Sequence, residues 1–178
     1  MRAPLVVFAV GNPSRGDDAL GPILLARLAA WLAERDFEND FELIEDFQLN
    51  IEHALDLQGR ELALFIDAGQ ETPAPFVFKR ISASTAIAHT THALPPEAVL
   101  QVYCQTEGHA PPPAYVLCVC GECFDLGEGL SPAAQSRVAE AMAWLERLIG
   151  APDPAAWAAL ATQGQAEIAN KTPRNPLL

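Results

Sequence analysis

"LVVFAVGNPSRGDDALGPILLARLAAWLAERD", residues 5–36, joins a continuous apolar run to a helical pattern through a loop that carries two adjacent acids. Residues 5–10 show no polar alternation, as expected of a central strand covered on both faces. Within 22–36, Leu24 or Leu25, Leu28, and Trp31 or Leu32 recur at helical spacing, and Pro22 suits a first helical turn. The stretch is a βα unit, and the segments after it continue the alternation. The chain therefore predicts an α/β fold, a three-layer α/β/α sandwich with a mainly parallel central sheet of about five strands.

"FELIED" (41–46) is the second predicted strand, followed by a loop and a short helix over 51–59. "LALFIDA" (62–68) is the third, and "FVFKRI" (76–81), alternating apolar and basic residues, reads as an edge strand. A loop over 82–95 leads to a helix from "PPEAVLQVYC" (95–104), and "YVLCVCG" (115–121) is the last strand. The helix over 130–150 has Ser131 as N-cap, Pro132 at its first position, Val138, Met142, Leu145 and Ile149 on one face, and Gly150 at its stop. One domain spans 1–150. Residues 151–178, rich in alanine and proline, read as a C-terminal extension, partly mobile beyond a short helix near 154–163.

The 23 acidic against 11 basic residues give a formal charge of -12, which disfavours nucleic acid, because that binding rests on lysine and arginine displacing counterions. No apolar run reaches the roughly 18 residues that span a bilayer, and residues 1–10 read into a strand rather than a cleavable signal, so no membrane and a cytoplasmic location are expected. Cys104, Cys118, Cys120 and Cys123 are too few and too clustered for a secreted disulfide framework. They could make a four-thiolate zinc site, but strand alternation puts Cys118 and Cys120 on one face of a buried strand, which favours reduced core thiols.

Ligands of open parallel sheets bind beyond the carboxyl ends of the strands. Three predicted strands deliver acids there: Asp17 and Asp18, then Asp46, then Asp67. A single acid in a βα loop is an ordinary helix cap, but several on one rim repel unless a proton or a cation lies between them. A phosphate is disfavoured by the same acids and by the lack of a following lysine. "AHTTHALPPEAVL" (88–100) supplies the imidazoles of His89 and His92, either solvated or ligating. No serine nucleophile is evident: G-x-S-x-G is absent and Ser14 has no obvious base.

With those residues in place, 4–150 resembles the hydrogenase maturation proteases, endopeptidases that trim the C-terminus of the [NiFe] hydrogenase large subunit. "GNPSRGDDALGP", "LFIDAG", "THALPP" and "FDLGEGLSPAA" are similar, in order, to the family's motifs. The resemblance implies nickel-sensing ligands at Asp18, Asp67 and His92, with Asp18 and Asp67 as candidates for metal-assisted proton transfer. It also places a further carboxylate at Asp46 and assigns Asn12, Asp17, Asp46 and His89 to the substrate side. Ala19 stands where the family usually has glycine, and "DFQLN" (46–50) replaces a glycine-rich turn. "FQLNIEHALDL" and "CFDLGEGLSP" look most like the branch serving soluble NAD-linked hydrogenases. The implied partner is a large-subunit precursor, with nickel recognised in that precursor and no organic cofactor. A nickel-binding chaperone or sensor without peptidase activity, and a flavodoxin-like binding domain, are the competing readings.

Overall fold

The computed structural model describes residues 2–37, 39–84 and 94–171. Five strands, β1 (Leu5–Val10), β2 (Phe41–Asp46), β3 (Leu62–Gly69), β4 (Phe76–Ile81) and β5 (Ala114–Cys120), form one sheet in the order β2-β1-β3-β5-β4. The pairs β1–β2, β1–β3 and β3–β5 are parallel, and β4 lies antiparallel at the edge beside β5. The α/β fold, the strand count and the edge position of "FVFKRI" agree with the sequence reading.

Every residue of β1 is buried, because successive side chains point to opposite faces and both faces are covered. Leu5, Val7 and Ala9 pack with α1 (Leu20–Ala33) and α3 (Pro132–Ile149), whereas Val6, Phe8 and Val10 pack under a 3-10 segment (Ile51–Leu57) and α2 (Pro96–Glu107). Phe8 and Phe65 stack in that second layer with ring centroids 4.7 Å apart. Among the described residues, no helix is long and apolar enough to cross a membrane.

The helix ends follow capping chemistry. Ser131 caps α3, its hydroxyl accepting from the Ala134 N–H at 3.1 Å. Helix α2 stops at Gly108, whose φ of 73° is the left-handed conformation that glycine adopts at a helix end. Helix α1 begins at Leu20, two residues ahead of the reading from Pro22, because a 3-10 turn over Gly16–Ala19 runs straight into it. Pro22 is still in the first turn, where its missing N–H breaks no helical bond.

The segment after residue 150 departs most from expectation. Instead of a short helix on an appended tail, α4 runs over Pro154–Lys171 and its first half completes the core. Trp157, 1% exposed, meets Tyr115 and Phe78 edge-on at 5.4 and 6.3 Å, and its Nε1–H donates to the Leu148 carbonyl at 3.0 Å. The alanine-rich stretch reads as a short helix near 154–163, but nothing local to it reveals that its tryptophan meets β4 and β5. Trp157→Ala is expected to cost about 3–5 kcal/mol, the range for deleting a large buried aromatic, read as a lower urea midpoint by circular dichroism. A tail merely attached to 1–150 would leave that midpoint unchanged.

Candidate functional site

From β1 the chain moves to β2 on one side, then returns to place β3 on the other, so the strand order reverses between β1 and β3. The carboxyl ends there diverge and leave a crevice. A cavity of about 530 Å³ occupies it, walled by Val10 to Asn12, Arg15, Asp18, Phe47 to Leu49, Asp67, Ala68 and Leu94 to Pro96.

Two glycines allow the loop after β1 to fold over this crevice. Gly11 has φ 145°, and a methyl group there would collide with the Asp18 carbonyl oxygen. A methyl at Gly21 would strike the Val10 carbonyl, so glycine lets α1 start against the end of β1. The loop is tied by its own polar groups: the Asn12 N–H donates to Asp18 Oδ2 at 2.9 Å, and the Ser14 N–H donates to Asn12 Oδ1 at 2.9 Å. Asp18 is thereby held on the cavity wall.

Asp67 projects from the end of β3 and is partly buried. Burial pushes its carboxyl up to about 7; the Ala68 N–H, donating at 2.7 Å, opposes the shift, and the nearby charge of Asp18 adds to it. With burial and the Asp18 charge both opposing its ionisation, the Asp67 carboxyl keeps its proton up to near neutral pH or accepts a cation in its place. Of the four acids expected at the strand ends, Asp18 and Asp67 line the cavity, and Asp17 and Asp46 do not.

The neighbouring acid does something else. Asp17 has no solvent exposure and lies away from the cavity. Its Oδ1 accepts from the Ser131 N–H at 2.7 Å, and its Oδ2 accepts from the Glu122 and Cys123 N–H groups at 2.7 and 3.1 Å and from the Ser131 hydroxyl at 2.8 Å. Burial raises its pKa, but these four donors outweigh burial and the net shift is downward. Asp17 thus fastens the Gly16–Ala19 turn to the segment between β5 and α3 and to the cap of α3. Spacing and composition alone do not separate it from Asp18; the resemblance does, but it puts Asp17 on the substrate side, whereas the carboxylate is turned inward.

Asp46 also works within the protein. Its Oδ1 accepts from the Phe47 N–H at 2.7 Å, and its Oδ2 accepts from Asn50 Nδ2 at 3.3 Å and faces His53 Nε2 at 3.6 Å. His53 Nδ1 accepts the Asn50 N–H at 3.0 Å, which leaves the ring proton on Nε2, toward Asp46. Asp46 is not itself in the cavity wall; it shapes Phe47 to Leu49, which are. His53 is buried and closes this network.

His89 and His92 lie outside the described residues. The wall resumes at Leu94, two positions after His92. The cysteines are free thiols: Cys118 lies beside Asp67 in the register and contacts Thr72 Oγ1 at 3.0 Å, and burial pushes its thiol pKa up. Among the described residues no group of three or more His, Cys, Asp or Glu side chains is placed to hold a metal ion, so the four-thiolate zinc site does not form.

The fold and the crevice at its strand reversal define an α/β/α protein with a paired-carboxylate cleft. Several solved structures resemble it, among them three hydrogenase maturation proteases. The [NiFe] hydrogenase maturation protease HycI from Thermococcus kodakarensis KOD1 superimposes with a TM-score of 0.63 at 20% identity, over 84% of this chain and 94% of that one. The hydrogenase maturating endopeptidase HybD from E. coli gives 0.61 at 20% identity, covering 84% and 92%. The hydrogenase 2 maturation peptidase from Thaumarchaeota archaeon SCGC_AB-539-E09 gives 0.58 at 19% identity, covering 84% and 99%. No family model matches the chain, and no curated protein matches it.

Proposed function

We propose that this chain is an endopeptidase that removes the C-terminal extension of a [NiFe] hydrogenase large-subunit precursor, acting on precursor that already carries nickel. The observation that carries this reading is the meeting of Asp18 and Asp67 in one cavity at the switch point of a fold shared with solved maturation proteases. The donor chemistry fits: two carboxylates suit a divalent ion presented by the substrate, and an imidazole suits nickel as the third donor. In this reading that donor is His92.

The reaction adds water across one peptide bond, hydroxide going to the carbonyl carbon and a proton to the leaving nitrogen. Nickel in the precursor supplies positive charge that holds and polarises the substrate. Asp67 takes the proton from the attacking water and returns it to the amine, a role suited to a carboxyl with a pKa of about 7. Asp18, fixed on the same cavity wall by the Asn12 N–H, adds its charge to the burial that disfavours ionisation of Asp67. The segments over 47–57 and 123–132 favour a precursor of the soluble NAD-linked branch, and the place of work is the cytoplasm.

Mass spectrometry of a cognate precursor, nickel-loaded and nickel-free, after incubation with the protein tests this. Loss of a C-terminal peptide from the loaded form alone is expected, and Asp18→Ala and His92→Ala should each abolish it. Binding of the loaded precursor without any cut would favour the chaperone instead, and full cleavage by His92→Ala would remove the imidazole from the site.

A further inference from the structure

Three large apolar side chains stand in water along the chain that leaves the cavity wall: Phe47 is 67% exposed, Ile51 58% and Leu55 53%. Isolated exposed apolar residues are ordinary, but a group next to a polar cleft marks a contact surface. Phe47 belongs to both, forming part of the cavity wall. Ile51 and Leu55 lie on the Ile51–Leu57 segment, whose His53, Ala54 and Leu57 are turned inward.

The segment that presents them is held at both ends. Asp46 accepts the Phe47 N–H, Asn50 is bonded through its N–H to His53 and caps the 3-10 segment through Glu52, and Arg2 donates to the Leu55 carbonyl at 2.7 Å. A fixed ledge of this kind loses little freedom when a partner settles on it. Its surroundings are acidic, with Glu45 and Glu52 exposed and Asp46 partly so, on a chain of net charge -12.

We infer that Phe47, Ile51 and Leu55 form a docking ledge for an extended apolar segment of the precursor, flanked by lysine or arginine, that leads the chain into the cavity. This rests on the endopeptidase reading above. Continuity with the cavity wall sets where the segment goes, and the acidic rim selects basic flanks. The ledge then supplies ground-state binding and takes no part in the chemistry.

The test is steady-state processing of a nickel-loaded large-subunit precursor by the intact protein, by Ile51→Ser/Leu55→Ser, and by Glu52→Lys. Both changes are on exposed side chains, so the melting temperature should be retained. The expected result is at least a tenfold rise in KM for the double variant with kcat within twofold, and a rise in KM for Glu52→Lys that high salt abolishes. An unchanged KM in the double variant, with the wild type active, overturns the ledge and leaves the endopeptidase standing. An unchanged KM for Glu52→Lys overturns the basic flanks. No cleavage by the wild type removes the endopeptidase reading, and the ledge falls with it.

Discussion

Asp67→Asn is expected to make the protein more stable at alkaline pH and, on the endopeptidase proposal, to end cleavage of the precursor. The carboxyl of Asp67 has a pKa of about 7 in the fold, against an ordinary value of 3.8. The folded chain therefore binds the proton more tightly than the unfolded chain does, and stability falls as pH rises from about 4 to about 7, remaining low above that. The difference between the two values corresponds to about 4 kcal/mol. Asparagine keeps the acceptor for the Ala68 N–H at 2.7 Å but cannot ionise. The melting temperature of the variant should exceed the wild type's by roughly 10 °C at pH 8 and by almost nothing at pH 4. Equal differences at the two pH values would mean that ionisation of Asp67 is not the cause.

The opposite result is expected one loop away. Asp17→Ala should destabilise the fold by about 4–5 kcal/mol at pH 7, because it strands three backbone N–H groups and the Ser131 hydroxyl in a buried place, each costing about 1–3 kcal/mol less what relaxation recovers. In a domain whose total stability is about 5–15 kcal/mol, this is close to loss of the folded state. The sign with pH is reversed from Asp67: the folded pKa of Asp17 lies below 3.8, so its contribution is complete above that value and fades as pH falls through the lower one. Urea unfolding at pH 7 and pH 3 measures this. A variant whose midpoint matches the wild type's at pH 7 would show that water replaces the carboxylate without loss.

These two adjacent acids also mark the limit of what the sequence disclosed. The strands, the capped α3 and the rim of acids follow from period, punctuation and the rule that parallel sheets bind at their carboxyl ends. Which acid faces the cleft does not follow from those rules, and only the resemblance pointed to Asp18. In a 3-10 turn successive residues differ by about 120°, so Asp17 and Asp18 look in different directions, and only the partner segment at 122–131, more than a hundred residues on, decides between them. His53 was obscure for a similar reason: its role depends on Asp46 and Asn50 folding back toward it. Trp157 was obscure because its burial is set by β4 and β5 rather than by its own helix.

The position of β4 carries a consequence for how the protein is made. β4 is complete at Ile81, yet its only strand partner among the described residues is β5, which begins at Ala114, and the layer that covers Phe78 needs Trp157. During translation at roughly 5–20 residues per second, β4 leaves the ribosome and waits about 2–7 s for its neighbour. Throughout that interval a nascent chain carries an unpaired strand with Phe76 and Phe78 uncovered, the form of edge that invites pairing with other chains. Lys79 and Arg80, both exposed on β4, place charge on that waiting strand and keep it apart from its neighbours on a polysome until β5 arrives.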